Sequence, residues 1–194
     1  MLYQAHRTHF TADTHFFHKL MLRYRLGLTD VDAMHEKMIH NWNAGIKRDD
    51  YVFHLGDVTF GNPTKTREIL DRLNGQIFLI KGNHDHLKDS VLGRFEWVKD
   101  IYEAKVEDLD APEGYQRLVM CHFPMYSWHR MGYGAWMLHG HCHGNLKGAV
   151  GKIMDVGVDN TISLSPFSYA DVKRNMGMVD IATVDHHDNK LKAA

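Results

Sequence analysis

The chain has 194 residues, of which 44% are hydrophobic and 24% charged, and its formal net charge is -1. This is the composition of an ordinary soluble globular protein. It gives no broad electrostatic footprint for nucleic acid or anionic membrane, and no apolar run approaches the roughly 18 residues of a membrane helix. The length suits one domain spanning 1–194.

In chain order, the opening "MLYQAHRTHF" lacks the basic start and apolar stretch of a secretory signal, so the expected address is the cytoplasm. Val31, Met34, Met38, Trp42 and Ile46 recur at steps of three and four behind the capping candidates Thr29 and Asp30, with Gly45 near the end, which predicts an amphipathic helix. "YVFHL" (51–55) reads as a strand running into Gly56-Asp57. "NPTKTREILDRLNG" reads as a helix with Asn62 as cap, Pro63 in the first turn and Gly75 as stop, and "QIFLI" (76–80) as a buried strand ending in "KGNHD". Further strands are expected at 115–122, 135–141, 152–159 and 178–185, with one late helix in "SPFSYADVKRNM" capped by Ser165 with Pro166 just inside. A β-α-β first half and a β-rich second half indicate an α/β sandwich.

Histidine is the compositional outlier, at 16 residues, and it gathers with carboxylates in five polar clusters at strand ends. These are "ADTHFFH" with Asp13 and His15, "LGDV" with Asp57, "KGNHDH" with Asn83, His84 and Asp85, "MCHFP" with His122, and "HGHCHG" with His139, His141 and His143. Mixed carboxylate, carboxamide and imidazole donors suit first-row divalent ions. Gly56, Gly82, Gly140 and Gly144 flank the clusters and permit sharp turns. In extended backbone, Asp-x-His and His-x-His each place both side chains on one face, while Cys142 alternates away. The two cysteines, Cys121 and Cys142, make no disulfide framework and suit a reducing compartment.

The ordered series D-x-H, GD, GNHD, lone His and G-H-x-H resembles the calcineurin-like metallophosphoesterase superfamily, over about residues 8–145, with steps of 44, 26, 39 and 19 residues. The tail "MDVGVDN" (154–160), followed by a Pro-containing helix, is similar to the small bacterial and phage members. The resemblance implies a four-layer α-β-β-α sandwich of two mixed sheets, with a dimetal site at the carboxyl ends of strands. It implies that Asp13, His15 and His143 hold one ion, that Asn83, His122 and His141 hold a second, and that Asp57 bridges them. Manganese is the first choice of metal, with iron, nickel, cobalt or zinc as alternatives. Two-metal phosphoryl transfer then uses both ions to clamp phosphate oxygens while a bridging hydroxide attacks phosphorus in line. Asp57, Asn83 and His84 are the implied catalytic residues, with His84 stabilising the transferring group or protonating the leaving oxygen. Asp85 reads either as a carboxylate orienting His84 or as a cap.

The expected activity is a metal-dependent phosphodiesterase acting on a small phosphodiester or nucleotide. A phosphomonoesterase or nuclease of the same superfamily, a mononuclear zinc hydrolase and a non-catalytic metal-binding scaffold are the other readings. "GDVTFGN" lacks the Asp-Arg-Gly of the protein Ser/Thr phosphatases, and "GNPTK" is not a P-loop. The expected partner is a small phosphate ester, with nucleic acid second and no membrane. His18 is the one accessory histidine favoured over His54 and His86. Arg23, Arg25, Lys47, Arg48 and Arg130 are candidates to meet phosphate. "DHHDNK" (185–190) looks like a metal clip but sits in a polar C-terminal segment that reads as solvated.

Overall fold

Period-two alternation in the central strands sorts their side chains into two cores. In the computed structural model, which describes residues 1–25 and 27–184, the strands are β1 (Leu2–Tyr3), β2 (Thr8–Thr11), β3 (Tyr51–His54), β4 (Gln76–Ile80), β5 (Phe95–Lys99), β6 (Ile101–Glu107), β7 (Tyr115–Cys121), β8 (Trp136–His139), β9 (Ile153–Asp155) and β10 (Phe167–Ser168). The α-helices are α1 (Val31–Gly45), α2 (Pro63–Leu70), α3 (Asp89–Leu92) and α4 (Tyr169–Gly177). One sheet has the order β10-β2-β3-β4-β5 and the other β1-β6-β7-β8-β9. Both are mixed: β10 is antiparallel to β2, and β6 to β7, while the other pairs are parallel.

Phe53, Phe78 and Ile80 point between the sheets and meet Tyr3, Phe10, Leu118, Met120 and Leu138. Their neighbours Val52, Ile77 and Leu79 face the other way, onto Met34, Met38, Ile39 and Trp42 of α1 and Ile69 and Leu70 of α2. That two-sided burial is why "QIFLI" is a continuous apolar run. Asp30 caps α1 by accepting the Ala33 N–H at 2.7 Å, and Asn62 caps α2 by accepting the Lys65 N–H at 2.9 Å.

The second half departs from expectation in four places. Strands β5 and β6 were not expected: β5 mixes Glu96 and Lys99 into a partly buried stretch, and β6 carries Glu103, Lys105 and Glu107 at alternate positions. The late helix begins at Tyr169, because Phe167 and Ser168 pair with β2 and the capping box is built by Ser168 with Asp171. Residues 178–184 form no strand; Ala182 and Val184 instead lie against Val119, Trp128, Met131 and Met137. That patch, with the 3₁₀ turn Met131–Tyr133, is what covers the outer face of the second sheet, so the expected fourth layer is not an α-helical one among the described residues. Helix α4 instead packs on β10, β9 and β2 and sends Tyr169, Val172 and Met176 into the core between the sheets. The architecture is an α/β sandwich of two mixed five-stranded sheets. No helix among the described residues is long and apolar enough to cross a membrane. "DHHDNK" (185–190) lies outside the described residues.

Candidate metal centre

Parallel pairing of β2, β3 and β4, and of β7 and β8, sets their carboxyl ends side by side, and the polar clusters leave the sheets there. The chain then turns at once. Asp13 (φ 55°), His15 (φ 47°), Asp57 (φ 58°), His141 (φ 68°) and His143 (φ 47°) all take left-handed backbone. The extended Asp-x-His and His-x-His geometry expected from the sequence is therefore absent, since β2 ends at Thr11 and β8 at His139. Asp and His tolerate this region better than most residues, but each such position still costs about 1–3 kcal/mol and persists only where its surroundings fix it. Those surroundings are backbone bonds between loops: Asp13 N–H to Gly56 O at 2.9 Å and His15 N–H to Asp57 O at 3.0 Å. Gly82 and Gly140 are needed for closeness. A Cβ on Gly82 would stand 2.3 Å from Asp57 Oδ1, and one on Gly140 2.5 Å from the Ala12 side chain and 2.8 Å from Asp13 Oδ2.

Two donor groups result. Asp13, His15 and His143 bring one ligand atom each within 4.8 Å of one another, and so do Asp13, Asp57 and His122. Asp57 Oδ2 lies 3.7 Å from His15 Nε2 and 3.6 Å from His122 Nε2, while Oδ1 accepts the His84 N–H at 2.9 Å. Asn83 Oδ1 lies 3.0 Å from His122 Nε2 and 3.1 Å from His141 Nδ1. All seven expected ligands thus converge. Asp13, placed with the first ion by the resemblance, stands in both carboxylate-containing groups.

The donor chemistry fits divalent cations. His122 Nδ1–H donates to the Leu55 carbonyl at 2.7 Å, so its Nε2 presents a lone pair beside another acceptor, Asn83 Oδ1. Asp13 Oδ1 and His15 Nδ1 are buried with no hydrogen-bond partner. Burial pushes the Asp13 carboxyl up to about 8, against the pull of His143, and pushes the His15 imidazole down to about 3, helped by His143 and Arg25. Burial thus disfavours charge on either group, leaving the imidazole neutral with a lone pair to offer, and a divalent ion would offset the buried charge of an ionised Asp13.

The other candidates separate clearly. His84 is exposed, its ring 5.0 Å from Phe60 and 6.0 Å from His15. Asp85 neither orients His84 nor caps a helix: it is buried and accepts the backbone N–H groups of Asp57, Gly82 and Val58, each at 2.8 Å, tying the GD loop to the GNHD loop. His18 stacks on Phe60 at 4.0 Å, beside His15. His54 is a buried core residue bonded to Thr14 at 3.0 Å, His86 is exposed, and His139 is buried with Nδ1 on the Gly140 carbonyl at 2.7 Å. Cys121 and Cys142 are free thiols. Arg25 is buried and does not face solvent to grip phosphate. Its Nη2 donates to the Asp13 carbonyl at 2.8 Å, its Nη1 to the Thr14 carbonyl at 2.9 Å, and its Nε to Asp159 Oδ1 at 2.7 Å. Sequence reasoning missed Asp159, whose Oδ2 accepts His143 Nδ1–H at 2.6 Å. Its position inside "MDVGVDN" was the one available signal.

No family model matches the chain. Gene 66 protein of Mycobacterium phage L5 is 26% identical over 159 residues, covering 70% of this chain and 77% of that one. Protein AQ665 of unknown function from Aquifex aeolicus shares the fold, with a TM-score of 0.64 at 22% identity over 87% of this chain and 98% of that one. A Vps29 variant from Entamoeba histolytica gives a TM-score of 0.38 at 14% identity over 77% of this chain and 73% of that one, too slight a likeness to carry argument. The uncharacterized protein MJ1445 of Methanocaldococcus jannaschii is 31% identical over 137 residues, covering 69% of this chain and 68% of that one. On that extent of identity, the chain belongs to the same protein family as MJ1445.

Proposed function

We propose that the chain is a dinuclear-metal phosphoesterase of the calcineurin-like superfamily, acting first on a small phosphodiester or nucleotide. The observation that carries this reading is Asp57, one of whose oxygens stands between His15 and His122 while the other is held by a backbone N–H. Asp13, His15 and His143 would hold one ion, Asn83, His122 and His141 the other, with Asp57 shared. Manganese is the first choice, and iron, nickel, cobalt and zinc suit the same donors. Bound divalent ions would supply positive charge for phosphoryl oxygens and acidify water for attack.

The chain's own residues do the rest. Asp57 would offset cationic charge with a carboxylate anchored at Oδ1 by the His84 N–H. Asn83 adds an oxygen donor without adding negative charge near phosphate. His84, exposed at the rim with its main chain bonded to Asp57, would stabilise the transferring group or donate a proton to the leaving oxygen. The net charge of -1 favours a small ester over a long nucleic acid, and the free thiols support a cytoplasmic address. A ligand set with every position filled argues against a non-catalytic scaffold.

The test is metal content per chain after Mn²⁺ loading, with hydrolysis of bis-p-nitrophenyl phosphate and p-nitrophenyl phosphate, for the wild type and Asp57→Asn. The expected result is two ions per chain and diester hydrolysis, with activity falling at least about 100-fold in the variant, the scale for losing one stabilising group. One ion per chain, or activity indifferent to Asp57, would sink the two-metal reading. A strong preference for the monoester would replace the diesterase assignment with a phosphomonoesterase.

A further inference from the structure

Two features of the sequence remain without a task in that reading: the "MDVGVDN" segment and Arg25. They meet. Arg25, whose side chain is fully buried, joins Asp159 through its Nε at 2.7 Å and its Nη2 at 3.3 Å. Asp159 in turn accepts Nδ1–H of His143 at 2.6 Å. The same guanidinium holds the main chain of the first cluster through the Asp13 and Thr14 carbonyls, and it rests on the sulfurs of Met34 and Met38 in α1 at 3.4 and 3.5 Å. Three distant stretches of chain therefore converge on one planar, permanently charged group whose fork of donors is rigid.

We infer that Asp159 and Arg25 are positioning residues for the first ion: Asp159 fixes the tautomer and angle of His143, and Arg25 fixes Asp159 relative to the Asp13 loop. The physical basis is that a ligating imidazole must present one nitrogen free of hydrogen. A carboxylate on the other nitrogen selects that tautomer and stops ring rotation. His122 obtains the same from a backbone carbonyl, Leu55 O, which no side-chain change removes. Of these two imidazoles, His143 is thus the one whose orientation depends on a side chain from outside the ligand set. Through the Asp13 and Thr14 carbonyls the Arg25 guanidinium also grips the stretch in which Asp13 and His15 take left-handed backbone.

This inference rests on the two-metal reading, and the experiment separates their failures. Mn²⁺ binding is titrated on the full chain, wild type, Asp159→Asn and Arg25→Lys, counting ions per chain and recording the electron paramagnetic resonance spectrum. Asp159→Asn preserves shape but puts an amide where the carboxylate stood. Arg25→Lys keeps the charge but loses the fork, and serves if the first variant does not fold. The expected result is two ions with a spin-coupled spectrum in the wild type. In either variant, one ion should bind 10–100-fold more weakly with its partner's affinity unchanged, so that the six-line spectrum of isolated Mn²⁺ appears at intermediate metal. Two ions at wild-type affinity in the folded variants would overturn the inference and leave the two-metal reading standing. Fewer than two ions in the wild type would overturn both.

Discussion

At His84 the main chain and the side chain have separate tasks. The N–H steadies Asp57 and survives any substitution except proline, whereas the ring is exposed at the rim beside Phe60. His84→Gln should therefore leave metal content intact and change unfolding free energy by no more than about 0.5 kcal/mol, as for an ordinary surface site. It should lower kcat for the diester by roughly 10²- to 10⁴-fold, the scale of a general acid. Metal counting beside steady-state kinetics checks this, and loss of metal together with activity would place His84 among the supports instead. The ligand types were readable residue by residue, because Asp, His and Asn beside glycine at strand ends have few other uses in such numbers. The left-handed turns were not, since a φ above zero at Asp13 or His143 depends on bonds to loops far away in sequence. Asp85 shows the same limit: its three N–H partners come from two loops brought together only in the fold.

At the scale of elements, α1, α2, β3 and β4 were legible because caps and periodicity are local. β6 was not, its burial alternating along a charged stretch, and the described part of the expected strand at 178–185, residues 178–184, forms none. Helix α4 is tied to the end of β6 by Asp108, whose carboxylate accepts from Tyr169 at 2.6 Å and Lys173 at 2.6 Å. Burial raises the Asp108 pKa, but the bonds from Lys173, Tyr169 and the Asp110 N–H outweigh it and hold the carboxyl below its ordinary value. A lowered folded pKa means that stability from this contact is present above the unfolded value of about 3.9 and is lost as pH falls through the folded one. The stability advantage of the wild type over Asp108→Asn should accordingly be largest near neutrality and shrink below about pH 4. Urea unfolding of both proteins across that range reads it directly, and an advantage constant with pH would remove the carboxylate from the account.

Over the whole molecule, the centre joins both sheets, because Asp13, Asp57 and Asn83 follow β2, β3 and β4 while His122 and His141 follow β7 and β8. Ions bound there would act on the folded state alone, so at a hundredfold excess over Kd each should add about 2.7 kcal/mol, or about 5–10 °C in Tm for a chain of this size. Thermal melts with Mn²⁺ and with chelator measure the difference, and coincident melts would contradict a centre formed only on folding. By itself the sequence determined the helices and strands with strong local pattern, the α/β class and the clustering of Asp, His and Asn beside glycine at strand ends, because periodicity, capping and side-chain type are properties of short stretches. Only the tertiary structure decided that Asp13 stands in both donor groups, that Asp85 ties two loops together, that Arg25 turns inward to Asp159, and that loops and a 3₁₀ turn cover the second sheet. Each of those depends on which strand ends lie side by side, and parallel pairing between distant segments is a non-local choice that no single stretch of chain encodes.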